Sequence, residues 1–147
     1  MSLLSALDIS AMGLTAQRRR IEVISSNLAN ANTTRTAEGG PFRRKDLVFQ
    51  SAPPPATSFG STLDTEIENQ AQLGVDVVGI YEDESPFVRR YEPAHPDADA
   101  QGYVTLPNIS PVEEMVNLLS ATRSFEANTQ SINAIKQIAQ KSLEIGR

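Results

Sequence analysis

Apolar side chains recur at helical spacing along the first part of the chain. Side chains three, four or seven positions apart lie on one face of a helix, so this spacing predicts a helix from about residue 3 to about residue 31, capped by Ser2. Gly13 lies inside it, where glycine lowers helix stability by about 1 kcal/mol relative to alanine. It marks either a close approach of another helix or a tolerated surface position. The apolar seam predicted for this helix consists of Leu4, Leu7, Leu14, Ile21 and Leu28.

A second helix is predicted at the other end of the chain. Ser110-Pro111-Val112-Glu113 combines a capping serine, a proline at the first helical position and a glutamate three residues after the cap. Helical spacing of apolar residues then continues, which predicts a helix from 111 to 146. Asn128 is a polar position that would fix the packing register. The predicted seam consists of Met115, Leu118, Ala121, Phe125, Asn128, Ile132 and Ile135.

Between the helices, short runs rich in β-branched and aromatic residues predict strands. The two terminal helices can bury their seams only against each other or against neighbouring chains. We therefore predict an elongated α+β fold, with the helices paired as a coiled-coil-like hairpin and a small β-rich region in the middle. The turn-like residues 82–86 predict a hairpin between the second and third strands. The predicted strands cover residues 42–49, 75–81, 87–91 and 103–106.

The predicted domain boundaries follow the same pattern. Residues 1–34 would form the N-terminal helix and its stop, because Ser, Asn and Thr dominate from Ser25 to Thr34 and such residues end helices. Residues 35–110 would form the β-rich region, and residues 111–147 the C-terminal helix. Residues 50–73, which contain few apolar groups after three consecutive prolines, are predicted to be a flexible insertion that tolerates shortening.

Composition excludes several classes of protein. The chain has no cysteine and one histidine, which leaves little scope for a metalloenzyme or a triad hydrolase. No apolar run is long enough to span a bilayer, and no cleavable secretory signal is predicted at the N-terminus. The basic cluster Arg43, Arg44 and Lys45 lies beside Phe42, but the net charge of −5 opposes binding of nucleic acid.

Charge is distributed unevenly along the chain. Residues 1–45 carry a net charge of +4, residues 46–110 carry −9, and residues 111–147 are neutral. These charges are either solvated surfaces or the two sides of a head-to-tail contact between subunits.

One acidic turn is a candidate cation site or catalytic group. Asp97, Asp99, Gln101 and Gly102 match positions 1, 3, 5 and 6 of a calcium-loop template, and His95 lies beside them. The twelfth position would be Asn108 instead of a bidentate glutamate, so an Asx-turn is the favoured interpretation. We expect neither a metal nor a cofactor, and no catalytic residues.

Four stretches resemble the flagellar rod and hook protein family. The motif at the end of the first helix, formed by Ser26, Asn27, Leu28, Ala29 and Asn30, is similar to the shared N-terminal motif of that family. The family usually continues to Pro-Gly-aromatic. Here Thr34-Arg35-Thr36 leads to Gly39-Gly40-Pro41, which resembles the proximal rod members. Residues 91–104 and 111–128 resemble two further family stretches, and the resemblance covers residues 1–49 and 74–147.

The resemblance implies a structural role. The chain would be a subunit of the bacterial flagellar basal-body rod, whose terminal helices assemble into the axial tube that transmits torque from motor to hook. The implied partners are copies of itself, other rod proteins, rod-base and membrane-ring proteins, and the flagellar export apparatus. The implied location is the periplasmic side of the basal body, reached by export from the cytoplasm without a cleaved signal. The alternative is a helical coiled-coil adaptor outside the flagellum, folded and oligomeric in dilute solution.

Overall fold

The computed structural model describes residues 3–53 and 73–145. Helix α1 covers Leu3–Ala29 and helix α2 covers Pro111–Ile145. Both helices were predicted, and the α+β class with two terminal helices that pack together is confirmed. The predicted cap Ser2 and most of the predicted insertion at 50–73 lie outside the described residues. Neither described helix combines the length and apolar character needed to cross a membrane.

The predicted start of α2 is present in the structure. The hydroxyl of Ser110 accepts the Glu113 N–H at 3.4 Å, and the Ser110 carbonyl accepts the Glu114 N–H at 3.0 Å. Pro111 occupies the first helical position, where its missing N–H leaves no donor unpaired. Glu113 and Glu114 lie in the first turn, at the positive end of the helix dipole.

The turn that ends α1 is shorter than the Ser-, Asn- and Thr-rich composition of residues 25–34 predicts. Residues up to Ala29 remain helical, and only Asn30, Ala31 and Asn32 form a turn. The Asn30 Nδ2 donates to the Ser26 carbonyl at 2.9 Å, and the Thr33 hydroxyl donates to Asn30 Oδ1 at 3.1 Å. These local bonds close the helix, as expected for a segment of Asn and Thr.

Four strands follow α1, and their pairing corrects the predicted hairpin. Strand β1 (Lys45–Ala52) pairs with β2 (Gly74–Glu82), while β3 (Val88–Tyr91) pairs with β4 (Tyr103–Leu106). The predicted pairing of the second strand with the third is therefore wrong. At the end of β2 the Asp83 N–H donates to the Arg44 carbonyl at 2.8 Å, so the chain leaves β2 still bonded to the start of β1.

Residues 92–102 connect β3 to β4, and Gly102 is the last of them. The pair is antiparallel, with Val88 opposite Leu106 and Tyr91 opposite Tyr103. The two tyrosine rings meet edge to face with centroids 5.3 Å apart. Gly102 has a φ of 82°, and a Cβ there would lie 2.9 Å from the Tyr91 ring, so the turn needs glycine for both conformation and space.

The described residues group into two compact units. Residues 20–48 and 79–120 form one unit, whose buried apolar residues are Ile24, Ala31, Leu47, Val104 and Leu106. Residues 3–19, 49–53, 73–78 and 121–145 form the other, whose buried apolar residues are Ala16 and Ala121.

Gly13 lies where the two helices approach each other in the second of these units. A Cβ at Gly13 would lie 2.9 Å from the Asn128 Nδ2. Of the two interpretations of this glycine, the structure supports close helix approach. Ala16 and Ala121, the buried apolar residues of this unit, are also small, which suits a close approach of two backbones.

Candidate functional site

A buried asparagine joins the end of α1 to the start of β1. Asn27 is 1% exposed. Its Oδ1 accepts the Lys45 N–H at 2.9 Å, and its Nδ2 donates to the Lys45 carbonyl at 2.8 Å. The amide therefore bonds both backbone groups of Lys45, as a neighbouring strand would. The Nδ2 also donates to Glu114 Oε2 at 3.3 Å, so both amide protons and the oxygen have partners.

A partly buried ion pair completes this arrangement from the start of α2. Glu114 is 1% exposed, and its Oε1 accepts from the Arg44 Nε at 2.8 Å. The Arg44 Nη1 donates to Asp46 Oδ2 at 3.2 Å. Burial lowers the pKa of the Arg44 guanidinium, but the hydrogen bonds and charges of Glu114 and Asp46 together outweigh burial and raise that pKa above its ordinary value. The guanidinium therefore stays charged beside the buried carboxylate.

These residues, Asn27, Arg44, Lys45, Asp46 and Glu114, form one cluster, hereafter the Asn27 cluster. It links α1, β1 and α2 within a single compact unit. The sequence analysis placed Asn27 in the family motif without a structural role and assigned no contact to Glu114. Asn27 and Glu114 are 87 positions apart, and no local pattern marks such a pair.

The basic cluster Arg43, Arg44 and Lys45, considered above and rejected as a nucleic-acid site, makes its contacts within the chain. The Arg43 guanidinium stacks 4.7 Å from the centre of the Phe87 ring, and its Nη1 donates to the Asp83 carbonyl at 3.2 Å. The Lys45 ammonium lies 3.5 Å from Glu82 Oε1 and 5.7 Å from the centre of the Phe42 ring. These side chains line an open cleft of about 440 Å³ beside the Gly39-Gly40 turn. The cations of this cleft already have partners.

The N-terminal seam lies beside the most buried face of α1. Leu7, Leu14, Ile21 and Leu28 are half-buried, whereas Leu4 is 73% exposed. Within the family motif Asn27 is buried, Leu28 and Asn30 are half-buried, and Ser26 and Ala29 are exposed. Of this seam, Leu4 is the one residue in the described part of the chain that is mostly exposed.

The residues of the C-terminal seam also differ in exposure. Ala121 is fully buried, and Met115 is 51% exposed. The remaining seam residues, Leu118, Phe125, Asn128, Ile132 and Ile135, are half-buried. Their contribution to contacts with other subunits stays a prediction.

The acidic turn is a structural turn whose polar groups bond one another. Asp99 Oδ1 accepts the N–H groups of Gln101 at 2.8 Å and Tyr103 at 2.9 Å, and Arg89 donates to Asp99 Oδ2 at 2.6 Å. Asp97 Oδ2 accepts the Thr34 hydroxyl at 2.7 Å, and His95 Nδ1 accepts the Asp97 N–H at 3.1 Å. The Asx-turn interpretation of Asp99 is confirmed.

The bonds of Asp99 also change its acidity. The Tyr103 N–H lowers the pKa of the Asp99 carboxyl below its ordinary value, against a smaller opposing effect of desolvation. The Gln101 N–H and Arg89 lower it further. In the described part of the chain, no group of three or more His, Cys, Asp or Glu side chains is arranged to hold a metal ion.

Comparison with known proteins places this architecture in a family. Residues 7–35 match the family model described as flagella basal body rod protein, and residues 100–145 match the C-terminal model of the flagellar basal body rod FlgEFG proteins. The first match contains the motif around Asn27, and the second contains Glu114 and the whole of α2.

Full-length relatives carry the same name. The chain is 46% identical to the flagellar basal-body rod protein FlgC of Bacillus subtilis over 153 aligned positions, which cover both chains completely. It is 43% identical to that of Borreliella burgdorferi, covering 99% of this chain and 98% of the relative. It is 40% identical to that of Salmonella typhimurium over 147 positions, again covering both chains completely.

The domain bounds predicted from the sequence, with a flexible insertion at residues 50–73, stay predictions. Members of this family are structural rod proteins, so the chain is not an enzyme. With relatives this similar along their whole length, the chain belongs to the FlgC family of flagellar basal-body rod proteins.

Proposed function

We propose that the chain builds the proximal part of the rod through its two terminal helices, and that this helical tube transmits torque from motor to hook. The observation that carries the proposal is the Asn27 cluster, which locks the end of α1 to the start of α2 while the seams remain partly exposed. A subunit whose helices are fixed to each other can pass a load between neighbours without sliding. The axial segments would be residues 1–34 and 111–147, with residues 35–110 between them.

The test of this proposal replaces two seam residues together. Leu118→Asp with Phe125→Asp places two charges on a half-buried seam, and we expect the subunit to be exported but not incorporated into rods. The measurements are motility, the amount of exported subunit and the protein content of isolated basal bodies. The matched control is Ala127→Asp with Ala134→Asp, two exposed positions on the same helix, which should leave motility intact. Normal rods from the seam variant would contradict the proposal.

The location and the remaining partners are proposed on the same basis. We expect the subunit to lie on the periplasmic side, to be exported by the flagellar apparatus without a cleaved signal, and to contact other rod proteins and the rod-base and membrane-ring proteins. Mass spectrometry of the subunit from purified basal bodies tests the export mode. A mature protein beginning within the first few residues supports it, and a product shortened by a signal-sized segment contradicts it.

The adaptor alternative differs from the rod function in a measurable way. Family membership favours the rod subunit. A coiled-coil adaptor would be oligomeric and strongly helical in dilute solution, and its loss would leave rods intact. Deletion of the gene with examination of basal bodies separates the two functions.

A further inference from the structure

Strand β1 has a neighbouring strand along only one of its edges. Among the described residues it belongs to a two-stranded sheet, with β2 as its neighbour. The other edge of an edge strand presents N–H and C=O groups to any strand that approaches it. The segment Lys45–Ala52 is suited to such pairing, because it contains Leu47, Val48 and Phe49 and has neither proline nor glycine. Its lysine and its aspartate also cancel in charge.

One hydrogen bond shows which backbone groups of β1 lie on the free edge. Successive residues of a strand direct their N–H and C=O groups to opposite edges. The Arg44 carbonyl accepts the Asp83 N–H at 2.8 Å, directly after the end of β2, and so points toward β2. Lys45 therefore directs its N–H and C=O away from β2, and Leu47, two residues further on, does the same. The free edge of β1 begins at Lys45.

Side chains occupy the first groups of this free edge. Asn27 bonds the Lys45 N–H at 2.9 Å and the Lys45 carbonyl at 2.8 Å. The next N–H on the same edge, that of Leu47, donates to Asp46 Oδ1 at 2.8 Å. Both caps are held in place, because Asn27 is 1% exposed and Asp46 accepts from the Arg44 Nη1 at 3.2 Å. A strand that arrives at this edge finds these groups already bonded.

We propose that Asn27 and Asp46 close the free edge of β1, so that β1 of a second copy of the chain does not add to it as a third strand. A second β1 is the strand to exclude, since identical segments of this composition pair readily in extended form. To add to the edge, it would first have to break both bonds between Lys45 and a buried amide. The proposal goes beyond the rod function, because it concerns a wrong contact between copies and not the contacts that build the rod.

The test opens the edge in the full-length chain. The open-edge variant, Asn27→Ala with Asp46→Ala, lacks both caps. We expect its aggregates that bind thioflavin T to grow about tenfold faster than those of the control, the factor for about one lost hydrogen bond. The matched control is Ile24→Ala. Ile24 is 5% exposed in the same compact unit, so its truncation weakens the fold and leaves both caps in place.

The two variants are compared at equal helical content, measured by circular dichroism in trimethylamine oxide. Equal growth would overturn the proposal, because loss of stability would then explain the aggregation. Hydrogen exchange gives a local measurement under the same conditions. The amides of Lys45 and Leu47 should exchange about tenfold faster in the open-edge variant than in Ile24→Ala. Equal exchange of these amides would likewise overturn it.

A further pair of changes identifies the strand that is joined. Val48 in β1 and Val78 in β2 are 46% and 60% exposed, and a lysine on an edge strand discourages pairing with another chain. Added to the open-edge variant, Val48→Lys should abolish the faster growth, whereas Val78→Lys should not. Equal effects of the two lysines, or no effect of either, would overturn the assignment to β1. These measurements use the isolated chain, so their failure leaves the rod function to its own test in cells.

Discussion

Two asparagines of one motif illustrate how a single residue can hold distant segments together. Asn27 is buried and bonds Lys45 and Glu114, whereas Asn30 bonds the carbonyl of Ser26 one turn earlier. The first joins segments far apart in sequence, and the second only finishes a helix. Loss of a buried amide leaves its partners without hydrogen bonds, which costs more than loss of an exposed local bond.

Asn27→Ala should therefore lower the free energy of unfolding by about 2 kcal/mol. Asn30→Ala is the matched control within the same motif and should change it by less than about 0.5 kcal/mol. The measurement is urea unfolding followed by circular dichroism in trimethylamine oxide, which favours the compact state. Equal losses in the two variants would show that the Asn27 cluster adds nothing to stability.

Asp99 makes the turn between β3 and β4 sensitive to acid. Its pKa is lower in the folded chain than in the unfolded one, so its contribution to stability is present above the unfolded value of about 3.9 and is lost as the pH falls through the folded value. We expect the ring signals of Tyr91 and Tyr103 in nuclear magnetic resonance spectra to change together below that unfolded value. Asp99→Asn should abolish this acid-dependent step. If the acid-dependent change persists in this variant, a group other than Asp99 causes it.

At the scale of elements, the packing of α1 against α2 depends on small side chains. With the Asn128 side chain where it is, the space beside Gly13 is too narrow for a Cβ. Ala16 and Ala121 are fully buried in the same unit. Helix propensity alone would favour alanine at position 13 by about 1 kcal/mol. The close approach opposes that gain.

A double-mutant cycle separates these two effects. In the natural background, Gly13→Ala should give no net stabilisation, because its Cβ would lie 2.9 Å from the Asn128 Nδ2 and force that side chain to move. In the Asn128→Ala background the same change should stabilise by about 1 kcal/mol. Thermal unfolding of the natural chain, the two single variants and the double variant under the same solvent conditions gives the coupling energy between positions 13 and 128. A full gain from Gly13→Ala in the natural background would contradict the close-approach interpretation.

At the scale of the whole molecule, the described part of the chain leaves more of its large apolar side chains exposed than buried. The described residues contain seven buried apolar residues, three of them alanines, whereas seventeen large apolar residues are exposed. So small a core gives little free energy to offset the ordering of a 27-residue and a 35-residue helix. We therefore expect neighbouring subunits to complete the burial.

The isolated chain should accordingly show far less helix at micromolar concentration than its two helices require. Far-ultraviolet circular dichroism measures this, and the helical signal should rise with protein concentration and with trimethylamine oxide. Val116→Asp, at an exposed apolar position of α2, should weaken the concentration dependence. Ala134→Asp, an exposed control on the same helix, should not. Full helicity at high dilution would favour the adaptor alternative.

Sequence reasoning succeeded where the physics is local. The spacing of apolar residues, the cap of Ser110 and Pro111 and the Asn-rich stop predicted both helices to within a few residues. The family motifs predicted the rod family that the relatives show. Strand pairing failed, because the order of β2 and β3 along the chain did not reveal that β2 bonds to β1.

By itself, then, the sequence determined which segments are helical, where each helix begins and ends, and the family. Only the tertiary structure decided that Asn27, Arg44 and Glu114 meet in one cluster and that Val112, Val116 and Leu119 of α2 stay exposed. The physical reason is that helix periodicity and caps depend on neighbours within one or two turns. Burial and pairing depend on contacts between residues that may lie anywhere along the chain, such as the bond between positions 27 and 114.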